Sequence, residues 1–204
     1  MITKNIIYGL TFGGLAWYVY DAYTSQATID TIDNQAGGMA SVLDGFMSVG
    51  YSIGSGAGMQ ISLNGLYFIK QNEGFKANVY LDSAGYKTIG YGHKLTLLEN
   101  YKTITEQTAA QLLARDVTTA EDAINSLVKV NIKQAQFDAL CSFVYNVGAG
   151  AFSRSTMLKM INTGDFSGAA SQFASWSKIT VNGQKITSNG ILSRRQREAQ
   201  LFTA

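Results

Sequence analysis

Two carboxylates and a threonine lie close together in the sequence, at spacings that could serve catalysis. Eight residues separate Glu73 from Asp82, and five separate Asp82 from Thr88. Two facing carboxyl groups can divide the work of cleaving a glycosidic bond, because one protonates the leaving oxygen and the other handles the incoming water or the cationic sugar. Carboxylates nine residues apart are common, however, and these residues equally fit a solvated helix end and a solvated turn.

The elements around these residues determine whether their side chains meet. Glu73 lies in the last turn of a predicted helix that a glycine terminates. Residues 79–91 combine two strand-like runs with a short turn and therefore predict a hairpin. A hairpin centred on Gly85 pairs Asp82 with Thr88, which places both side chains on one face of the ribbon. We expect Glu73 to overlook that face across a cleft.

A proton donor must keep its proton near neutral pH. Partial burial of Glu73 among neighbouring aromatic side chains, Phe75 or Tyr91, would raise the pKa of its carboxyl group. We therefore expect Glu73 to be partly buried beside these rings.

Regular elements continue toward the C-terminus. Helical texture runs from about residue 105 to residue 128. Asn131 followed by Gln134 indicates a capping box, which would open a helix that ends at Gly148. One small hairpin beside many helices predicts an α+β domain with a helical majority.

The remaining segments predict further short helices and a loop. Ser155 and Asp165 are predicted N-caps of two helices, the second of which ends near Trp176. Residues 180–190 contain Gly and Asn and are interpreted as a loop. The last helix carries three arginines that we expect to form a solvated face: Arg194, Arg195 and Arg197.

The order of residues around the candidate site resembles a known catalytic signature. Glu73, eight residues, Asp82, five residues and Thr88, closing in Thr-Ile-Gly-Tyr-Gly-His, are similar to the signature of phage-type lysozymes, glycoside hydrolase family twenty-four. The resemblance covers about residues 61–204 and does not extend to residues 1–60. Further similar segments follow in the family's order: 139–140, 143–148, 150–152, 155–156, 162–165, 169–170, 173, 176, 190–195 and 198.

The resemblance implies a fold, a reaction and a partner. The implied fold is α+β and lysozyme-like, mostly helical, with one small β-hairpin lining the active-site cleft. Glu73 would be the general acid, while Asp82 and Thr88 would hold the water that attacks the anomeric carbon, giving hydrolysis with inversion. The implied substrate is bacterial peptidoglycan, cut at the β-1,4 bond between N-acetylmuramic acid and N-acetylglucosamine. An intact Thr88 argues against the related lytic transglycosylases.

The resemblance also implies a set of sugar-contacting residues. The family residue at the position of Lys94 is often aliphatic, so this chain departs from the pattern there. The loop after Gly148 is also shorter than in some relatives. The implied substrate-binding residues are Lys94, Tyr145, Ser155 and Gln172.

A second interpretation is a catalytically silent protein with a lysozyme fold, serving a phage particle as a structural or wall-binding component. The presence of Glu73, Asp82 and Thr88 counts against it, because loss of the acid is the simplest way to silence such a site.

The first sixty residues differ in texture from the rest. Lys4 precedes the uncharged run from Ile6 to Tyr20, and this order is typical of a signal peptide or a signal anchor. Fifteen helical residues span only about 22 Å, short of the ~30 Å hydrocarbon core of a bilayer, so shallow or reversible insertion is expected. Residues 1–24 are thus predicted to form a hydrophobic anchor helix. A hydrophobic helix that packs against a protein partner is the alternative.

Residues 25–60 form a predicted connecting segment rich in Gly, Ala and Ser, either a loosely packed helix or a flexible tether. The predicted catalytic domain is residues 61–204. We expect residues 1–60 to contact a membrane or virion proteins. The protein would be membrane-anchored or virion-associated, with its catalytic domain outside the cytoplasm.

Composition excludes several other classes of function. Residues 1–60 carry one lysine and four aspartates, while residues 61–204 carry fifteen Lys or Arg and ten Asp or Glu. A basic domain favours anionic partners; the resemblance favours the bacterial wall, and no nucleic acid is expected. His93 and Cys141 are each the sole residue of their type, so the sequence predicts no zinc site of the usual kind. No other cluster of metal ligands is visible in the sequence, and no other metal and no cofactor is predicted. The resemblance implies a structural hydrogen-bonding role for His93 in preference to a general-base role. We expect Cys141 to be a buried, inert thiol rather than a nucleophile.

Overall fold

The computed structural model describes residues 58–82, 84–181 and 183–204. The predicted anchor helix and nearly all of the connecting segment lie outside these described residues. Among the described helices, none combines the length and the apolar character that crossing a membrane requires.

Helices dominate the described chain and two small antiparallel sheets interrupt them. A single 3₁₀ turn, Phe173–Ser177, follows the sixth helix. The helices are α1 (Leu63–Glu73), α2 (Glu106–Leu127), α3 (Gln134–Val147), α4 (Ala149–Ser153), α5 (Thr156–Asn162), α6 (Phe166–Gln172) and α7 (Asn189–Phe202). The strands are β1 (Lys76–Leu81), β2 (Lys87–Gly90), β3 (His93–Lys94), β4 (Lys178–Val181) and β5 (Gln184–Thr187).

Side-chain caps fix the starts of several helices. The hydroxyl of Thr105 accepts a hydrogen bond from the Thr108 amide and begins α2. Ser155 and Asp165 begin α5 and α6 in the same way, which confirms both predicted caps. The predicted capping box at Asn131 was wrong. The N-cap of α3 is Lys133, two residues after Asn131. The side-chain oxygen of Gln136 accepts a hydrogen bond from the Lys133 amide.

Helix α3 forms the centre of the core. Its residues from Gln136 to Val144 are buried in succession, and α1, α2 and α7 pack around it. The ring of Phe143 meets three other aromatic rings, including that of Trp176 at 5.3 Å. Cys141 is fully buried, as predicted, and burial raises the pKa of its thiol. A helix buried on all sides holds the surrounding elements in fixed positions.

The first sheet contains three strands in the order β1–β2–β3. Thr88 is opposite Tyr80 on β1 and Lys94 on β3. The predicted pairing of Asp82 with Thr88 was wrong, since the Asp82 amide donates to the carbonyl oxygen of Tyr86 at 2.9 Å. The turn is tighter than predicted because the Asp82 carboxylate accepts amide hydrogen bonds within it. The residue opposite Asp82 on β2 is thus two positions away from the predicted one. Because side chains alternate between the two faces of a strand, Asp82 and Thr88 still lie on the same face.

The second sheet is a hairpin of β4 and β5, where a loop was expected. Ile179 is opposite Ile186, and Val181 is opposite Gln184. Gly183 has a φ of 79° and supplies the left-handed turn residue. The β-branched residues that flank an Asn-Gly pair were a usable hairpin signal. The fold is mostly helical, as expected, but its sheet content is larger than one hairpin.

Thr105→Ala removes the cap of α2 and should lower the free energy of unfolding by about 1 kcal/mol. Thr118→Ala is the matched control, because Thr118 lies inside α2 with an exposed side chain that donates to the Arg115 carbonyl. Urea denaturation of both variants measures the difference. Equal stability of the two variants would contradict the role of Thr105 as the cap.

Candidate active site

Glu73 is the last residue of α1, where Gly74 ends the helix with a φ of 70°. Its side chain is 20% exposed. One carboxylate oxygen, Oε1, accepts a hydrogen bond from Arg194 Nη1 at 2.6 Å. Partial burial of Glu73 agrees with expectation, and a cation from α7 holds its carboxylate.

A buried acid in turn holds Arg194. Glu198 is completely buried, and its Oε1 accepts from Arg194 Nε at 3.0 Å and from the Ser142 hydroxyl at 2.8 Å. Arg194 also donates to the Ser142 carbonyl at 3.3 Å. All three nitrogens of the Arg194 guanidinium are hydrogen-bonded, so the group presents Nη1 to Glu73 in one orientation.

The predicted solvated arginine face of α7 was therefore wrong for two of its three members. Arg194 and Arg195 are buried, and both pair with Glu198. Arg197 alone is exposed, and it donates to the side chain of Asn72. Arginine normally stays in solvent unless it is paired, and here the buried acid supplies the pair.

Asp82 occupies the turn between β1 and β2. Its Oδ1 accepts from the amides of Tyr86 at 2.8 Å and Ala84 at 2.9 Å, and its Oδ2 lies 3.4 Å from Lys94 Nζ. The Tyr86 amide, the Ala84 amide and the Lys94 ammonium hold the pKa of Asp82 below its usual value. Asp82 is thus a charged carboxylate across the neutral range.

Thr88 lies in the middle strand of the sheet with a buried side chain. Its hydroxyl donates to the Tyr86 carbonyl at 3.1 Å. By strand register Tyr80, Thr88 and Lys94 share one face of the sheet, and Asp82 follows Tyr80 by two residues. The hydroxyl oxygen keeps lone pairs with which it can accept a hydrogen bond on that face.

Two side chains connect Glu73 with the sheet. Burial and the charges of Glu73 and Asp82 together raise the pKa of the Tyr80 phenol, so both carboxylates act on that group. Lys94 contacts Asp82 and also lines the same cleft as Glu73. The cleft is open to solvent and has a volume of about 370 Å³. Glu73 therefore lines this cleft. Asp82 and Thr88 are not among the described residues that line it, and Asp82 is linked to it through Lys94.

The predicted substrate-binding residues divide into two pairs. Lys94 and Tyr145 line the cleft, and the Tyr145 hydroxyl donates to the Tyr91 carbonyl at 3.0 Å. Ser155 is buried and its hydroxyl caps α5 by accepting from the Leu158 amide. Gln172 is half-buried at the end of α6. Neither Ser155 nor Gln172 is among the described residues that line the cleft.

His93 is buried between two carboxylates. Its Nδ1 lies 2.7 Å from Asp116 and its Nε2 lies 3.1 Å from Glu99. The Thr96 amide, Arg115 and His93 lower the pKa of Glu99 to about 2. With both ring nitrogens occupied, His93 braces β3 against α2, which fits the structural role expected of it.

Gly92 was not recognised as a site residue from the sequence. It has a φ of 95°, and a methyl group placed on it would lie 3.7 Å from Glu73 Oε2 and 3.6 Å from the Tyr145 hydroxyl. Gly92 thus lets the backbone pass beside the free oxygen of the acid. Its place in Gly-Tyr-Gly-His was the available signal.

The described residues offer no evident set of metal ligands. Among the residues described, no three His, Cys, Asp or Glu side chains are grouped so that they could hold an ion. The acidic groups found here are a half-buried carboxyl group held by an arginine and a second carboxylate that stays charged.

Comparisons with known proteins identify the family. Residues 70–198 match the phage lysozyme family model. An endolysin of Acyrthosiphon pisum secondary endosymbiont phage 1 is 42% identical over 71% of this chain and 98% of its own length. A SAR-endolysin of bacteriophage PS119 is 41% identical over 62% of this chain and 73% of its own.

A solved structure agrees with these relatives. The muramidase domain of SpmX from Asticaccaulis excentricus superposes with a TM-score of 0.68 at 34% identity, covering 71% of this chain and 98% of that domain. The chain therefore belongs to the phage lysozyme family, and it is a lysozyme-type glycoside hydrolase.

Gly92→Ala should lower the free energy of unfolding by roughly 1 to 2 kcal/mol, because an L side chain is strained at this left-handed position. Gly190→Ala is the control, since that glycine lies in α7 with open space around it, and it should stabilise by about 0.4 to 1 kcal/mol. Thermal unfolding distinguishes the two. A stable Gly92→Ala variant would show that the backbone there is not constrained.

Proposed function

We propose that the protein cleaves the β-1,4 bond between N-acetylmuramic acid and N-acetylglucosamine in bacterial peptidoglycan. The observation that supports the proposal is that Glu73 and Lys94 line one open cleft, and that Lys94 contacts Asp82 on the sheet face that also carries Thr88. Membership of the phage lysozyme family supports the reaction class. The endolysin relatives support bacterial peptidoglycan as the substrate.

Glu73 acts as the general acid in this proposal. Arg194 occupies Oε1, which leaves Oε2, the oxygen nearest Gly92, free to carry the proton toward the leaving sugar oxygen. A fixed carboxyl loses little motion when substrate binds, and orientation of this kind contributes strongly to rate.

Asp82 and Thr88 position the attacking water. The charged Asp82 carboxylate accepts a hydrogen bond from one O–H of the water, and the Thr88 hydroxyl accepts a hydrogen bond from the other. The water oxygen bonds to the anomeric carbon as Glu73 protonates the departing oxygen, Asp82 takes up the proton of the O–H that faces it, and the other hydrogen stays on the new hydroxyl group. Attack from the face opposite the leaving group inverts the anomeric centre.

The biological setting we propose is a phage that opens the wall of its host during entry or lysis. Similarity to SAR-endolysins supports delivery across or along a membrane, with the catalytic domain on the wall side. Residues 1–60 would supply the contact with the membrane or with virion proteins, as their uncharged run indicates.

The silent-protein alternative finds no specific support in the site. A wall-binding protein would not need a buried arginine that orients Glu73, nor backbone amides that keep Asp82 charged. Burying Arg194 and Glu198 costs desolvation energy. That cost is explained if the site must hold the Glu73 carboxyl group in one orientation.

Glu73→Gln should reduce the clearing of purified wall sacculi by about 100-fold or more, because the amide cannot donate the catalytic proton. Asp122→Asn is the matched control, since Asp122 is an exposed acid on α2, and it should retain full activity. Turbidity loss at equal protein concentration measures both. Equal clearing by Glu73→Gln and the wild type would refute the assignment of the acid.

Lys94→Leu should move the acidic limb of the pH–rate profile to higher pH. The Lys94 ammonium helps to hold the pKa of Asp82 down, so its removal raises that pKa and Asp82 becomes protonated earlier as pH falls. Lys76→Leu, an exposed lysine far along β1 from Asp82, is the control. If the acidic limb of the pH–rate profile of Lys94→Leu stays at the wild-type pH, Asp82 is excluded as the group whose titration causes that limb.

A further inference from the structure

One end of the three-stranded sheet presents apolar side chains to solvent. Strand β3 runs back toward the β1–β2 turn, so the chain that leaves β3 emerges at the same end as that turn. Leu81 and Tyr86 are 68% and 58% exposed there, and Leu97 and Leu98 are 106% and 97% exposed. We call these four residues the sheet tip.

Specific hydrogen bonds hold the two leucines outward. Glu99 Oε2 accepts from the Thr96 amide at 2.9 Å, and the Glu99 amide donates to the Thr96 carbonyl at 3.2 Å. Arg115 on α2 donates to the other Glu99 oxygen at 2.7 Å. Leu97 and Leu98 therefore project from a braced turn. Two adjacent, almost fully exposed leucines are unusual on a soluble domain.

Two lysines lie near the sheet tip, and the neighbouring acids are already paired. Lys87 is directly opposite Leu81, and Lys102 lies on the segment that pairs with the outer edge of β1, where its carbonyl accepts from the Val79 amide. Both lysines are exposed, and neither forms an ion pair with any residue that the structure describes. Asp82 and Glu99, in contrast, contact Lys94 and Arg115. The tip thus combines hydrocarbon with unpaired positive charge.

We propose that the sheet tip docks on an anionic phospholipid membrane. The leucines would enter the boundary between headgroups and acyl chains, while Lys87 and Lys102 would meet the lipid phosphates. Glycan strands and wall peptides offer no apolar phase for the leucines. A second copy of the chain would bring like charges together. The sheet tip itself makes this contact, which would bring the β1–β2 turn that carries Asp82 to the membrane surface.

An environment-sensitive fluorophore at position 98 of the full chain tests the proposal. Leu98→Cys can be labelled selectively because Cys141, the other thiol, is fully buried. With vesicles containing phosphatidylglycerol, we expect a blue shift and quenching by acyl-chain quenchers. The same label at Lys159→Cys, an exposed position on α5, should keep its aqueous spectrum. Vesicles of phosphatidylcholine alone should give little shift.

Four outcomes would overturn the proposal. The first is an aqueous spectrum at position 98 with phosphatidylglycerol vesicles, whether or not the protein binds them through another segment. The second is an equal shift on neutral vesicles, and the third is a concentration-dependent shift without lipid, which would indicate self-association. The fourth is an unchanged shift when Lys87→Glu and Lys102→Glu are combined in the labelled protein. Lys178→Glu with Lys185→Glu, on the β4–β5 hairpin, is the matched control and should leave the shift intact.

Discussion

The hydrogen bond from Arg194 to Glu73 is the contact on which the catalytic geometry depends. It joins residues 121 positions apart in the chain. Glu73 ends α1 and Arg194 lies in α7, so the bond can form only when both helices pack against the central α3. Glu198 and Ser142 fix the arginine from behind, and both are fully buried. The acid is thus oriented by the hydrophobic core rather than by a local loop.

The sheet face that carries Asp82 and Thr88 is organised by different interactions. Backbone amides in the β1–β2 turn, with the Lys94 ammonium, keep Asp82 charged, and strand register places Thr88 on the same face. Local hydrogen bonds build this face, whereas long-range packing orients Glu73. Gly92 lies where the two meet and leaves room beside the free oxygen of Glu73.

Local signals in the sequence predicted the parts of the structure that depend on neighbouring residues. Gly74 as a helix stop, Thr105 at the start of a helix and the N-caps Ser155 and Asp165 all require only contacts within a few positions. The placement of Asp82 and Thr88 on one face survived an error in register, because side chains alternate with a period of two.

Features that depend on distant residues were not predicted. A run of arginines is normally solvated, and nothing near Arg194 in the sequence shows that a buried Glu198 and a distant Glu73 will surround it. For the same reason the arginine that holds Glu73 was not foreseen. The resemblance assigned Ser155 to the sugar cleft, which stays a prediction, and the structure shows its hydroxyl capping α5. The β4–β5 hairpin is a different kind of error, because its Asn-Gly signal was local and was overlooked.

The anomeric configuration of the first product tests the central claim most directly, since the claim is that Asp82 and Thr88 hold a water opposite the bond that Glu73 protonates. Proton NMR of a soluble peptidoglycan fragment during the first turnovers would record that configuration before mutarotation. The account predicts that the β-linked substrate gives an α-configured reducing end. A β-configured first product would show that Asp82 attacks the sugar itself, and would contradict the account.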